Sequence, residues 1–355
     1  VKPKAVIFGC QGPKLTQEEK VFFERTNPLG FILFSRNCVD PLQVRELIYE
    51  LRQTTHRDTV PILIDQEGGR VARLGPPFWR KPPPAMAFTQ LAEDDLDEAL
   101  WCARANSWLI GQELLELGIN VNCAPVLDLV IPGAHDVIGD RSYGSNPELV
   151  AQLAFHVAEG LIDAGVMPVI KHLPGHGRAT VDSHKRLPIV RTTQEELLET
   201  DFLAFTRFLD FMKSQHNQHP WGMTAHIIYT ALDEERTATH SSTVIEGVIR
   251  GHMGFGGFLL SDCVTMHALE GTLGNRTKKA IDAGCDAVLH CSGILDEMLE
   301  VACHAPVLSD EAINRFSLEF LISSSFNYPS ISEVRHRLDQ SLQPYLSTEP
   351  SLKAL

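Results

Sequence analysis

The sequence predicts a single TIM-type (β/α)8 barrel, an α/β fold, with a C-terminal helical extension. Three observations carry this expectation. Eight short apolar runs alternate with longer amphipathic ones, the pattern of a parallel sheet covered by helices. The chain has 355 residues, which suits one closed barrel with extensions, although two domains also fit that length. No phosphate-cradling Gly-x-Gly-x-x-Gly follows the first strand, which argues against an open dinucleotide-binding sheet.

The predicted strands are 5–9, 30–35, 62–65, 121–126, 167–171, 222–226, 257–262 and 287–291. Between them the spacing predicts helices over 16–26, 41–52, 96–117, 147–164, 194–209, 242–253 and 276–283. After the last strand come helices over 295–305, 310–323 and 333–342, the C-terminal extension. The Pro-rich run 75–84 is a stiff loop after the third strand. The polar run 215–220 is expected to be an exposed loop before the sixth strand. The tail from about residue 344 is expected to be loosely held. No linker, low-complexity block or repeat interrupts the chain, so residues 1–355 are expected to form one catalytic domain.

Charge is 31 basic residues against 45 acidic, a net of −14, which argues against nucleic acid as the main partner. The cysteines, Cys10, Cys38, Cys102, Cys123, Cys263, Cys285, Cys291 and Cys303, are scattered without a Cys-x-x-Cys pair. Several lie inside apolar runs, as reduced thiols do, and a cytoplasmic location is expected. The start, Val-Lys-Pro-Lys, lacks signal-peptide architecture, and no apolar run has membrane-spanning length. No membrane partner is therefore expected.

The polar residues are informative by position. Asp65, Asp128, Lys171, His226 and Asp262 fall at or just past the carboxyl ends of predicted strands, the rim where such barrels assemble active sites. Burying five ionisable groups there without purpose is costly, although any one, Asp128 above all, could be a structural ion pair. Lys171 and His172 open the run Lys-His-Leu-Pro-Gly-His-Gly, which is followed by Asp182-Ser183-His184. Residues two apart in an extended segment face the same side, so Asp182 can orient the His184 ring for proton transfer. An exposed loop histidine is the bland alternative for His184, and a helix N-cap is the one for Asp262.

These motifs resemble those of family 3 glycoside hydrolases, in particular the single-domain bacterial β-N-acetylhexosaminidases of the NagZ type. Further islands in the family's order are IDQEGGRVARL (64–74), NCAPVLDL (122–129), VIGDRSYG (137–144), MTAHIIY (223–229) and LLSDCVTM (259–266). The resemblance covers about residues 28–291. It implies Asp262 as nucleophile, His184 as acid/base and Asp182 as the group that orients it. It also implies Asp65, Arg73, Arg141, Lys171 and His172 as the sugar-binding set. Glu67 is expected to brace Arg70 or a backbone amide, and His176 to buttress its loop. One departure stands out. The family commonly has a second aspartate where this chain has Cys263, which removes a negative charge beside the presumed nucleophile.

By resemblance, the expected activity is retaining, exo-acting removal of non-reducing GlcNAc from anhydro-muropeptides in peptidoglycan recycling, by a monomer with no cofactor. The partner is thus a small saccharide, GlcNAc-anhydroMurNAc and its peptides. A metal is a competing thought because the sequence holds fifteen histidines, but Pro174 with Gly175 and Gly177 precludes the helix that a His172/His176 zinc pair needs. The other readings are a β-glucosidase, a glycoside phosphorylase and a non-catalytic sugar-sensing barrel.

Overall fold

The computed structural model describes residues 2–346 apart from 56, 58, 217 and 319–326. Its strands are β1 (Lys4–Gly9), β2 (Pro28–Leu33), β3 (Ile62–Ile64), β4 (Val121–Asn122), β5 (Met167–Leu173), β6 (Ile189–Val190), β7 (Trp221–Thr224), β8 (Ile228–Tyr229), β9 (Leu259–Cys263) and β10 (Ala287–His290). Eight of them close a barrel in the order β1-β10-β9-β7-β5-β4-β3-β2, and every pairing is parallel. All eight predicted runs are the barrel strands, with shifted ends. The run 121–126 keeps a ladder only at Val121–Asn122, because Pro125 has no N–H to donate. The chain stays alongside β5 beyond it: Leu127 N donates to Lys171 O at 2.8 Å, and Lys171 N to Pro125 O at 3.2 Å.

Period-two alternation sorts each strand into two cores. Ala5, Ile7, Leu63, Val121, Met167, Val169, Met223, Leu260 and Leu289 fill the barrel interior. Their neighbours Val6, Phe8, Ile62, Ile64, Ile170 and Leu259 face the helix layer. The amino-terminal mouth is plugged from the C-terminal extension. Phe316 packs on Trp221 and Phe258 at centroid distances of 5.4 and 5.6 Å, and Trp221 Nε1 donates to Ser317 O at 2.8 Å. Among the described residues, the amino-terminal mouth is thus closed and the carboxyl-end mouth holds a cavity.

The helices follow local rules. Thr16 and Glu19 form a reciprocal capping box at the start of Gln17–Thr26. Asp40 and Asn146 cap Pro41–Gln53 and Pro147–Asp163, each with proline in the first turn. The expected helix over 194–209 is two helices, Gln194–Glu199 and Asp201–Gln215, split at Thr200, whose backbone (φ −128°, ψ −91°) leaves the helical region. The helix Ala85–Asp94 is one the sequence pattern did not predict; it begins directly after the Pro82–Pro84 run that marks the preceding loop. Of the run 215–220, Gln215 is exposed as expected, but His216 and His219 are half-buried, since the His216 ring binds Glu159 and His219 packs against Phe255. The expected helix over 310–323 spans Asp310–Arg315, and the remainder of that stretch partly lies outside the described residues. The final helix, Ile331–Leu346, carries the chain past residue 344 with Leu342 buried, and 347–355 lie outside the described residues. Among the described residues no helix is long and apolar enough to cross a membrane.

The tightest helix crossing is at Gly160, where a Cβ would stand 2.1 Å from Arg104 O and 2.9 Å from Ser107 Cβ. Backbone cannot yield there as a flexible side chain could. Gly160→Ala is expected to lower the unfolding free energy by about 1–3 kcal/mol in urea titrations. A variant as stable as the parent would show that helices Leu96–Leu117 and Pro147–Asp163 can move apart freely.

Candidate active site

The alternation that builds the interior also selects what reaches the mouth. One step beyond the interior residues Leu63, Val169, Leu260 and Leu289 come Asp65, Lys171, Asp262 and Cys291, all lining one cavity of about 280 Å³. His172 lines it as well from the end of β5, and Arg73, Arg141, His176 and His184 do so from the loops.

Its sugar-sized floor is an ion cluster. Lys171, whose side chain is only 3% exposed, places Nζ 2.9 Å from Asp65 Oδ1 and 2.6 Å from Glu67 Oε1. Arg141 grips Glu67 bidentately, Nε and Nη2 each at 2.8 Å. Arg73 Nη2 donates to Asp65 Oδ2 at 3.1 Å, and its guanidinium lies 5.3 Å from the Phe34 ring centroid. Burial alone would raise both carboxyls, but Lys171 with Arg73, and Arg141 with Lys171, hold Asp65 and Glu67 well below the usual carboxylate range. Burial likewise opposes the Lys171 ammonium, and the two carboxylates overcome it and raise its pKa. The cluster is thus charged throughout at neutral pH, with fixed donors and acceptors facing the cavity.

Glu67 departs from expectation. It braces Arg141 and Lys171, whereas Arg70 turns outward to Asp136 and Asp140. The cue was Asp65-x-Glu67 spacing, which puts both carboxylates on one side. His226 differs as well, and Asp128 takes the structural pairing left open for it: both are buried at the rim and stand behind the cavity wall. Asp128 accepts from His172 N at 3.1 Å, His172 Nδ1 at 2.6 Å and His176 N at 2.6 Å, so one carboxylate fixes the whole turn after β5. Burial raises this carboxyl and the two histidines bring it below its ordinary value. Tyr229 OH closes on Gly175 O from the other side.

Asp262 accepts from Cys263 N at 2.7 Å through Oδ1, and no partner among the described residues holds Oδ2. Burial pushes its pKa up, but the neighbouring His226 and His172 and the Cys263 N–H leave it lowered, hence ionised at neutral pH. The residue is part of β9, so it does not cap a helix. His226 stands behind it, with Nδ1 2.7 Å from Thr239 Oγ1 and Nε2 donating to Cys263 O at 3.0 Å. Burial lowers the pKa of His226, against the pull of Asp262. Cys263 presents a thiol 3.0 Å from Thr265 Oγ1, and Cys291 N donates to its sulfur at 3.3 Å. No second carboxylate therefore sits beside Asp262 at that position.

The loop after β5 holds His184 at the cavity's outer edge. Asp182 Oδ1 accepts from both His184 N and His184 Nδ1 at 2.9 Å, which leaves Nε2 as the working nitrogen. The intervening Ser183 is buried: its hydroxyl is 3.0 Å from His176 Nε2, and its carbonyl accepts from Ala268 N at 3.2 Å. The His184 side chain itself is 66% exposed. His176 thus buttresses the loop through Ser183, as the sequence suggested. Gly177 allows the close approach: a Cβ there would lie 2.2 Å from Leu129 O.

The arrangement brings an ionised carboxylate, an oriented histidine and a charged ring of sugar-sized hydrogen-bonding groups into one cavity. A match to the glycosyl hydrolase family 3 N-terminal domain runs over residues 6–314. The chain belongs to glycoside hydrolase family 3, among its β-hexosaminidases. It is 38% identical over 292 residues to a β-hexosaminidase of Alkalilimnicola ehrlichii, covering 81% of this chain and 80% of that one. The structure of NagZ from Neisseria gonorrhoeae with N-trifluoroacetyl-D-glucosamine superposes with a TM-score of 0.81 at 28% identity, covering 98% of each chain. A family 3 β-N-acetylglucosaminidase from Paenibacillus sp. gives 0.75 at 31% identity, covering 99% of this chain and 63% of that longer one.

The buried histidines predict acid sensitivity. Burial, with His172 beside it, pushes His176 down to about 4, whereas an unfolded histidine titrates near 6.5. Because the folded value is depressed, the stability is present above about pH 6.5 and is lost as pH falls towards 4. His176 should contribute a slope of about 1.4 kcal/mol per pH unit across that window. Urea titrations from pH 7 to 4.5 measure it, and His176→Gln should remove that share of the slope. An unaltered slope in the variant would show that His176 takes up its proton without unfolding.

Proposed function

We propose that this β-hexosaminidase is a retaining, exo-acting β-N-acetylglucosaminidase that removes non-reducing GlcNAc from peptidoglycan-derived anhydro-muropeptides during cell-wall recycling. The observation that carries the chemistry is that Asp262, with Oδ2 open, lines the same cavity as the Asp182-oriented His184. Double displacement needs one anionic nucleophile and one group that first gives and then takes a proton.

In the first step Asp262 Oδ2 attacks the anomeric carbon and the C–O bond to the aglycone breaks. His184, protonated on Nε2, delivers its proton to the departing oxygen. In the second step neutral His184 takes a proton from water, the water oxygen bonds the anomeric carbon, and Asp262 leaves as carboxylate. The base form of an imidazole adds no negative charge next to the glycosyl ester, as a second carboxylate would. Asp182 holds the tautomer and stabilises the imidazolium. Asp65, Arg73, Lys171, Arg141 and His172 bind the GlcNAc hydroxyls and N-acetyl group. The cluster's hydrogen-bonding groups are fixed before substrate arrives, so little reorganisation is needed.

The eight cysteines are unpaired, which supports a reducing cytoplasm as the site of action. The family match over residues 6–314 supports one catalytic domain across that span. With a thiol in place of a second carboxylate, an anion meets less repulsion beside Asp262, which favours glycoside phosphorolysis as a second reading. Turnover of a chromogenic N-acetylglucosaminide and of the matching glucoside, with and without phosphate, separates hydrolase, phosphorylase and β-glucosidase. No turnover of either leaves a sugar-binding barrel.

Asp262→Asn should keep the fold and lose at least a hundredfold in kcat on an unactivated disaccharide, since an amide cannot form the glycosyl ester. Retention of more than a few per cent of activity would contradict its role. His184→Ala should hurt most where the leaving group is poor, because a nitrophenolate departs without a proton and a sugar alkoxide does not. Single-turnover rates on an aryl glycoside and on a disaccharide test this, and equal losses on both would remove the acid role.

A further inference from the structure

Two cysteines share the wall of the sugar cavity with Asp262. Cys263 ends β9, and Cys291 follows directly after β10. An irregularity between these strands brings them together. The ladder pairs Ala287 with Leu260 and then Leu289 with Cys263, so β9 carries one residue more than β10 across that stretch. Such a bulge re-aims a side chain, and here both Asp262 and Cys263 line the cavity although they are adjacent in a strand. Cys291 N donates to Cys263 Sγ at 3.3 Å, and the two thiols share a hydrogen bond. Cys263 is 7% exposed and Cys291 is half-buried, and a small solute reaches them by the route a sugar takes.

The two sulfurs are unequal. Burial raises the thiols of Cys10, Cys38, Cys102, Cys123 and Cys285, which makes them poor nucleophiles. Cys263 is lowered instead. The hydrogen bond with the Cys291 thiol and those with Thr265 outweigh its burial and the charge of Asp262. The same shared bond, with burial, raises Cys291. A more acidic thiol in a cavity, next to a second thiol, is the arrangement of an oxidisable cysteine with its resolving partner. In a reducing compartment such a pair stays reduced until an oxidant arrives.

We infer that Cys263 and Cys291 form a reversible disulfide in the presence of a hydroperoxide, and that this bond shuts the sugar cavity's chemistry off. The Cys263 thiolate attacks one peroxide oxygen. The O–O bond breaks, the sulfur is oxidised to a sulfenic acid, and the departing hydroxide takes up the thiol proton as water. The Cys291 thiolate then attacks the Cys263 sulfur, the S–S bond forms, the S–O bond breaks and a second water leaves. Two thiols and one hydrogen peroxide thus give one disulfide and two waters. The bond draws the Cys263 sulfur away from Thr265 and ties β9 to the segment after β10. Cys263 N is also the donor that holds Asp262 Oδ1, so the carboxylate is disturbed from the adjacent residue.

The test treats the intact protein with hydrogen peroxide and follows a chromogenic N-acetylglucosaminide together with the peptide map. The parent should lose about tenfold or more of its turnover and recover it with dithiothreitol. Its mass should fall by two hydrogens, with the Cys263 and Cys291 peptides cross-linked. Each variant is compared with its own untreated rate. Cys263→Ser should keep its rate through peroxide. In Cys291→Ser no cross-link should form, and dimedone should label Cys263 as the stranded sulfenic acid. Cys303→Ser, which alters an exposed thiol outside the cavity, should respond as the parent does. The inference rests on Asp262 for the effect on turnover, whereas the peptide map is independent of that role. Absence of the cross-link, a link between other cysteines, equal inactivation of Cys263→Ser, or a cross-link that leaves turnover intact overturns the proposal.

Discussion

Lys171 is a cation buried at the carboxyl end of a barrel strand, and the site's architecture follows from neutralising it. An unpaired ammonium in that position would be far too costly to keep charged. The barrel brings Asp65 from beyond β3 and Glu67 two residues on, and Glu67 in turn recruits Arg141 from the loop after β4. One charge thereby ties three barrel segments together. The cluster left behind is a rigid set of donors and acceptors at the bottom of the cavity. Breaking it by removing one partner would leave the others buried and uncompensated, so the sugar-binding floor and the fold of the rim are held by the same contacts.

A second constraint works on the loops. Asp128 spends both oxygens on His172 and His176 and so fixes the Pro-Gly-His-Gly turn relative to β4. From that anchor the chain reaches Ser183, which is pinned to His176 and Ala268, and then releases His184 toward solvent. The acid/base candidate is thus held by its neighbours and not by its own packing. That combination suits a group that must meet a glycosidic oxygen arriving with substrate, because positioning comes from the backbone while the ring stays accessible.

On another side of the cavity, β9 supplies the nucleophile candidate and the Cys263 thiol, and Cys291 follows directly after β10. Asp262 remains ionised because the neighbouring His226 and His172 and the Cys263 N–H together outweigh its burial. Cys263 places a sulfur there instead of a second carboxylate. A lone carboxylate needs no shared proton, which makes its titration simpler than that of a paired one.

Much of this was legible in the sequence because barrel strands are short apolar runs and strand parity is local. Once residues 63, 169, 260 and 289 are assigned inward, Asp65, Lys171, Asp262 and Cys291 must follow at the mouth. The Asp182–His184 pair is also local, two residues apart in one loop. Tertiary structure alone decided the rest. Glu67 was assigned to Arg70 because proximity along the chain was the only guide, whereas its partner Arg141 lies 74 positions away. His226 looked like a cavity residue, and Asp128 stayed open between cavity and structural pair, because position at a strand end does not say whether a side chain turns into the mouth or behind the wall. The split at Thr200 and the helix Ala85–Asp94 were missed because an amphipathic period carries no record of where packing bends the chain. The sequence by itself determined which residue types reach the rim. Closure of the barrel decided which of them meet, because charges buried far apart along the chain find their partners only when the strands between them are in place.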